Sequence, residues 1–187
     1  MGSGVVQALK KEFDIEDEWI NYEIHPDTPL QGMSLAERFS AASAQAMVDR
    51  LRQMGQPYGV KFGHLTLLSN SKMAIEVSEF ARDQGVFHEF HDAIFHAYFT
   101  DGKDIGDQSI LLAIGESVGL HRKEIEQALS DSRYESRLEE ARQAAIKFQV
   151  TGTPTFIVAN RFKLVGAQPI EVFRDVLTKV ARGSSEM

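Results

Sequence analysis

The chain has 187 residues, of which 43% are hydrophobic, 25% charged and 9% aromatic, a composition typical of a water-soluble globular protein rather than a disordered or fibrous one. It contains no cysteine, so it offers no thiolate nucleophile, no disulfide and no Cys-ligated metal site. Its net charge of −7 disfavours a nonspecific nucleic-acid surface, because phosphate binding depends on clustered positive charge.

The sequence shows no sign of membrane insertion or secretion. No apolar run approaches the roughly 20 residues that cross a bilayer, and no basic start is followed by an apolar segment and a cleavage site. We therefore predict a cytoplasmic protein with no membrane partner. Met1 is compatible with a true start, a cloning remnant or an internal methionine, and the sequence leaves these alternatives open.

The N-terminal third predicts a helix, a strand and a second helix. Apolar residues at helical spacing predict the first helix over residues 5–13. Alternation over Trp19–Ile24 predicts a half-buried strand with its even-numbered residues on one face. The pattern Ser34–Glu37 is a capping box, which predicts a helix that runs to Met54 and stops at Gly55.

Residues from about Asn70 to Val150 predict a block of helices. Asn70 or Ser71 can cap a helix that ends near Gly85, and Asp107 can cap another that ends near Gly119. The remaining helices of this block are predicted over Val86–Phe99, Arg122–Leu129 and Ser132–Phe148.

The last part of the chain predicts a β-hairpin and a final helix. Thr155–Val158 and Phe162–Val165 are rich in strand-forming residues, and Asn160–Arg161 predicts the turn between them. Pro169 suits the first position of a helix, here Ile170–Ala181. The order of elements predicts one α/β domain interrupted by a helical insertion.

The residue pair Thr153–Pro154 stands directly before the first strand of this hairpin. Proline cannot donate a hydrogen bond to a sheet, so the pair predicts a tight, exposed turn. About 5–6% of X-Pro bonds in folded proteins are cis. The residues alone therefore favour an ordinary trans turn.

Four segments resemble one family in the family's own order. They are Glu23–Asp27, the combined signature of Ala97–Phe99 with Asp104–Asp107, then Gly152–Phe156, and finally Gly166–Pro169. Together they resemble the FrnE-like group of DsbA-like proteins, which have the thioredoxin fold. The likeness spans nearly the whole chain and falls on the helices and strands expected above.

The resemblance implies an α/β, thioredoxin-like fold with a large all-helical insertion. It places the thioredoxin-like domain at residues 1–30 and 150–182, the insertion at 31–149 and a frayed tail at 183–187. In that family the Thr-Pro bond is cis and its backbone receives extended polypeptide or small thiol substrates. By resemblance Thr153 and Pro154 are substrate-binding residues, and we also expect His25 near the same face.

The chain departs from the family at its start. The family begins with a strand that leads into Cys-x-x-Cys at the N-terminus of the first long helix, where the helix dipole lowers the thiol pKa. Here the sequence resembles the family only from within that helix, so the first strand and the active-site turn are missing. We therefore expect a redox-inactive chain with no catalytic residue, cofactor or metal. The unpaired sheet edges predict a homodimer or segment swap across the gap, or an unstable groove there.

Two other functions stay open at this point. Glutathione-dependent kappa-class transferases and 2-hydroxychromene-2-carboxylate isomerases are related proteins that use a serine at the dithiol position, although Ser3 falls about one turn too late for that role. The third alternative is a non-catalytic peptide-binding module. Separately, His88, His91 and Asp92 have a spacing that suits a divalent metal, but a solvated polar helix face is the favoured interpretation.

Overall fold

The computed structural model describes residues 2–183. Its elements, in chain order, are α1 (Gly2–Leu9), β1 (Met33–Ser34), α2 (Leu35–Phe39), α3 (Ala41–Gly55), a 3-10 turn (Gln56–Tyr58), β2 (Leu67–Leu68), α4 (Lys72–Asp83), α5 (Phe87–Phe95), a π-helical turn (His96–Thr100), α6 (Gln108–Ser117), α7 (Arg122–Ser130), α8 (Glu135–Lys147), β3 (Thr155–Val158), β4 (Phe162–Val165) and α9 (Ile170–Gly183).

The chain forms two compact units. One comprises the residues up to Ile20 together with those from Gln143 onward, and the other comprises Asn21–Arg142. The last residues of the expected frayed tail, 184–187, lie outside the described residues, and Gly183 is the final residue of α9.

The first unit contains the hairpin that the sequence predicts. β3 and β4 pair antiparallel from Thr155 opposite Val165 to Val158 opposite Phe162. The turn begins one residue earlier than expected, because Ala159 and Asn160 take the left-handed backbone, with φ of 51° and 54°. The N–H of Arg161 closes the turn on the Val158 carbonyl at 3.1 Å.

Helices α1 and α9 supply the apolar side chains of this unit. Val5 is fully buried, and Phe173 is 2% exposed. The Phe173 ring meets that of Phe156 edge to face, with their centroids 4.8 Å apart. At the surface Arg174 donates two hydrogen bonds to the Glu12 carboxylate, at 2.7 and 2.8 Å. The aromatic pair therefore joins the hairpin to the core under α9.

The strand predicted over Trp19–Ile24 is wrong. This segment has no strand pairing in the described residues, and Ile20 and Ile24 are 57% and 40% exposed. Alternating residues favour an extended backbone, but a strand also needs a hydrogen-bonded neighbour. Because the described part of the chain brings no partner strand to this segment, the pattern does not become a strand.

In the second unit, the helix starts follow the predicted caps. The Ser34 hydroxyl accepts a hydrogen bond from the Ala36 N–H at 3.2 Å, and the Asp107 carboxylate accepts one from the Ser109 N–H at 2.7 Å. The helix expected to run from Ser34 to Met54 instead breaks at Ser40, where φ is +69°. The sequence carries no glycine or proline there to indicate the break.

Helices α4 to α7 enclose the core of the second unit. Its most buried side chains include Val77, Phe90, Leu111 and Ile125. A two-residue bridge between β1 and β2 pairs Met33 with Leu68, a contact that so short a segment does not reveal in sequence. The core thus comes from packed helices, as amphipathic sequence patterns favour.

Candidate functional site

The loop that precedes β3 has the conformation that the family resemblance implies. The Thr153–Pro154 peptide bond is cis. The Pro154 carbonyl accepts a hydrogen bond from the Gly166 N–H at 2.7 Å, and the Thr155 hydroxyl donates to the Gly152 carbonyl at 2.6 Å. Both ends of the loop are therefore fixed to the hairpin.

The peptide groups of Thr153 lie between these two fixed ends and are open. Thr153 is exposed, and within residues 2–183 its backbone N–H and C=O have no hydrogen-bond partner. A Cβ built at the neighbouring Gly152 would meet nothing within 4 Å. The loop therefore presents an accessible donor and acceptor, the groups that an extended chain uses in β-pairing.

The first turn of α1 packs directly against this loop. A Cβ built at Gly2 would lie 3.3 Å from the Pro154 Cβ and 3.6 Å from the Phe156 Cζ. The site thus combines an open peptide group and a proline surface that packs against α1 within the first unit.

His25, the third predicted binding residue, belongs to the second unit. Its ring lies edge to face with Phe39, at a centroid distance of 6.3 Å. Its carbonyl accepts a hydrogen bond from the Thr28 N–H at 3.0 Å. These contacts define a packing role in its loop, and the assignment of His25 to a substrate site stays a prediction.

The histidines of α5 are not a uniformly solvated face. The His91 side chain is only 12% exposed, and its ring stacks on Phe95 at 4.2 Å. Burial lowers the pKa of His91, opposed by its hydrogen bond with Asp92. In the described part of the chain no three His, Cys, Asp or Glu side chains form a group that could hold a metal ion.

Sequence reasoning missed two buried carboxylates on α4. Glu76 and Glu79 are 6% and 7% exposed. The only sequence signal was their position within the stretch Met73–Ala81, which is apolar apart from these two residues and Ser78. Helical spacing alone does not show burial by distant segments, so a charged residue on a helix is ordinarily assigned to its solvent face.

An α/β chain whose proline loop packs against the first turn of a helix fits the thioredoxin-like class of proteins. The model of the family described as "DSBA-like thioredoxin domain" matches residues 1–178. The chain therefore belongs to this family, as its motifs predicted.

Individual relatives agree with this assignment. The uncharacterized protein YwbO of Bacillus subtilis is 26% identical over 182 residues, which cover 95% of this chain and 88% of YwbO. The thiol:disulfide interchange protein DsbA of Pseudomonas syringae is 25% identical over 79 residues, or 42% of this chain and 37% of that protein. These likenesses extend to proteins whose names state disulfide exchange and to one that is uncharacterized.

A solved structure confirms the fold. The crystal structure of a "probable DsbA oxidoreductase" from Streptomyces coelicolor superimposes with a TM-score of 0.87 at 21% identity, covering 95% of this chain and 82% of that one. At this identity the comparison establishes the fold alone. No helix within residues 2–183 is long and apolar enough to span a membrane.

Proposed function

We propose that this chain carries the substrate-binding part of a DsbA-like thiol-disulfide oxidoreductase and does not exchange disulfides by itself. Its Thr153–Pro154 loop receives an extended polypeptide or a small thiol compound. The observation that carries this proposal is the open peptide group of Thr153, held between two fixed loop ends and beside the first turn of α1. Family membership supports the same function.

The binding mode follows from backbone chemistry. A bound extended segment would accept a hydrogen bond from the Thr153 N–H and donate one to its C=O, as a neighbouring β-strand does. Backbone contacts recognise conformation more than side-chain identity, so we expect broad selectivity for unfolded segments. Small apolar side chains of the substrate would rest on the ring of Pro154.

The lack of disulfide exchange follows from the absence of sulfur nucleophiles. Exchange requires a thiolate to attack a disulfide and form a mixed disulfide. This chain contains no cysteine, and serine or threonine hydroxyls do not undergo that reversible exchange. Any redox step at the loop therefore needs a thiol brought by another molecule or another part of the protein.

Binding can be tested with an unstructured, carboxymethylated polypeptide that has no free thiol. We expect its addition to shift the backbone amide NMR signals of residues 151–155 and of the first turn of α1. Thr153→Pro removes the N–H donor, and we expect about fivefold weaker binding, the equivalent of one hydrogen bond. Thr153→Ser keeps the peptide group and should bind like the wild type.

Three outcomes would contradict the proposal. Equal affinity of Thr153→Pro and the wild type, with both folded by circular dichroism, would exclude the loop as the contact. Catalysed reduction of insulin by this chain would contradict the assignment as redox-inactive. Glutathione binding at these amides without polypeptide binding would favour the transferase and isomerase alternative.

We also propose that the free edge of β3 pairs with a second copy of the chain. Within residues 2–183, β3 pairs with β4 alone and so uses one edge, and Thr155–Val158 contains no charged residue to discourage pairing at the other. β4, by contrast, carries Lys163. Light scattering should show a dimer, and Ile157→Lys should convert it to a monomer; a wild-type monomer at high concentration would contradict this assembly.

A further inference from the structure

The buried face of α4 carries two carboxylates in different surroundings. Glu76 and Glu79 stand one turn apart on this helix, and both are more than nine-tenths buried. A buried carboxylate is stable as an anion only when donors or cations compensate its lost hydration. The two residues differ in how far this compensation goes.

Glu79 is well compensated. Asn21 donates a hydrogen bond to its carboxylate at 2.6 Å, and Arg82 donates another at 3.1 Å. Arg137 of α8 lies 3.6 Å from the same group. Donors from three parts of the second unit therefore converge on Glu79, which identifies it as a fixed ionic anchor.

Asp83 extends this anchor by one turn of α4. The Tyr134 hydroxyl donates to its carboxylate at 2.9 Å, and Arg137 donates at 2.8 Å. Burial acts to raise the pKa of Asp83, but these two hydrogen bonds outweigh it and the pKa is lowered. Asp83 therefore stays ionised under mildly acidic conditions.

Glu76 has much weaker support. Its cationic contact is Lys72, one turn away, at 3.9 Å, and Lys72 is shared with Glu135 of α8 at 3.5 Å. Glu23 approaches from the other side, where its carboxylate accepts a hydrogen bond from the Ser71 hydroxyl at 3.4 Å. Two carboxylates, those of Glu76 and Glu135, thus share one ammonium group, and a third, that of Glu23, is bound at the cap of α4.

Burial and the neighbouring carboxylates both raise the pKa of Glu76. Burial raises its pKa, Lys72 opposes this, and the negative charges of Glu135 and Glu23 raise it further. These are the charged groups that face Glu76 from α4, from α8 and from the 21–23 segment. The geometry agrees with this direction, because one lysine is shared by two acids and a third acid lies at the cap of α4.

The cluster of charged residues around α4 contacts the first and last segments of the second unit. Residues 21–23 begin the second unit, and α8 is the helix in which that unit ends at Arg142. The charged face of α4 and its cap residue Ser71 bind both segments, through Asn21 and Glu23 on one side and through Tyr134, Glu135 and Arg137 on the other. It therefore holds the two places where the chain enters and leaves the second unit.

We propose that Glu76 is a proton-controlled latch for these two segments. When Glu76 is neutral, Lys72 serves Glu135 alone, and both segments stay fastened to α4. When Glu76 ionises, it competes with Glu135 for Lys72 and its negative charge repels Glu135 and Glu23, so both segments open more often. This device does not depend on the cis-Pro loop and goes beyond the function proposed above.

The direction of the pH effect follows from linkage. A group whose pKa is raised by folding contributes stability that is fully present below its unfolded pKa, here 4.5, and that is lost as the pH rises through the folded value. Mild acidification from neutral pH should therefore fasten the latch. Asp83 acts oppositely, but only at lower pH, because its own pKa is lowered.

Native-state hydrogen exchange on the full chain tests the latch. After correction for intrinsic rates, protection of the Glu135 and Leu138 amides, which donate to the Ser132 and Tyr134 carbonyls, should be greater at pH 5 than at pH 7.5, by about tenfold for each unit by which the pKa of folded Glu76 exceeds the lower of these pH values. Glu76→Gln should be equally protected at both pH values. Glu89→Gln, at an exposed position on α5, should behave like the wild type.

A second variant keeps the test decisive if Glu76→Gln folds poorly. Glu23→Gln removes one repelling charge and retains an acceptor for Ser71, so the pH midpoint of protection should move to lower pH. Protection in the wild type that is constant or falls on acidification from pH 7.5 to 5 would overturn the proposal. An unchanged midpoint in Glu23→Gln would also overturn it.

Discussion

Replacing Gly55 with alanine sets helix propensity against a steric contact. Gly55 is the last residue of α3 and is buried. Alanine is favoured over glycine by up to about 1 kcal/mol inside a helix. A Cβ at this position, however, would lie 2.7 Å from the Val60 carbonyl oxygen and 2.9 Å from the Phe62 Cε2. Both distances are well inside van der Waals contact.

The segment that the new methyl group meets has little freedom to move. Arg52 donates to the Phe62 carbonyl at 3.1 Å and to the Gly63 carbonyl at 2.7 Å. The Thr100 hydroxyl donates to the Lys61 carbonyl at 2.7 Å. Overpacking in such a site costs about 1–3 kcal/mol, and each weakened hydrogen bond adds about 1 kcal/mol. The helix gain is small at a helix end, so we expect a net destabilisation of about 1–3 kcal/mol.

Urea unfolding followed by circular dichroism at 222 nm measures this change in the free energy of unfolding. Gly152→Ala is the matched control, because a Cβ there meets nothing within 4 Å and Gly152 does not have a positive φ. We expect it to lie within about 0.5 kcal/mol of the wild type. A Gly55→Ala variant as stable as the wild type, or more stable, would refute the steric argument.

Three further predictions concern other parts of the chain. Ala159→Gly should stabilise the hairpin by about 0.5–1 kcal/mol in urea unfolding, because its φ of 51° suits glycine; a loss of stability would contradict this. Phe173→Ala should cost about 3–5 kcal/mol by removing a side chain that is 2% exposed and packs on Phe156, and a cost below 1 kcal/mol would show that the site is not a rigid core. Because burial lowers the pKa of His91 from 6.5, its contribution to stability is present above that value and lost as the pH falls through the lowered one. His91→Phe, which can still stack on Phe95, should remove this part of the pH dependence of thermal unfolding, and an unchanged profile would exclude His91 as its source.

Local signals were sufficient wherever the structure depends on near neighbours. The Ser34 and Asp107 side chains cap their helices through hydrogen bonds to N–H groups two residues away, so a short motif contains the whole interaction. The β3–β4 hairpin and the start of α9 follow from strand propensity, a turn and a proline for the same reason. The expected helix through Ser40 failed because its break is not marked by a glycine or proline.

The candidate site was predictable in part. Residues around Pro154 share a motif with a known family, so sequence comparison could identify the loop. The open peptide group of Thr153 and the packing of Gly2 against Pro154 required coordinates, since each depends on contacts made or not made by segments about 150 residues apart. The motif is less informative about His25, whose ring packs against Phe39 in the structure. Its assignment to a substrate site stays a prediction.

The sequence by itself determined the family, the absence of a thiol and most helix positions, because these depend on residue identity and local spacing. Only the tertiary structure decided whether Trp19–Ile24 forms a strand and whether the α4 carboxylates are buried. A strand exists only if another segment pairs with it, and Glu79 becomes an anchor because distant residues such as Asn21, 58 residues earlier, donate to it. Pairing and burial are properties of segments distant in sequence, so no local pattern contains them.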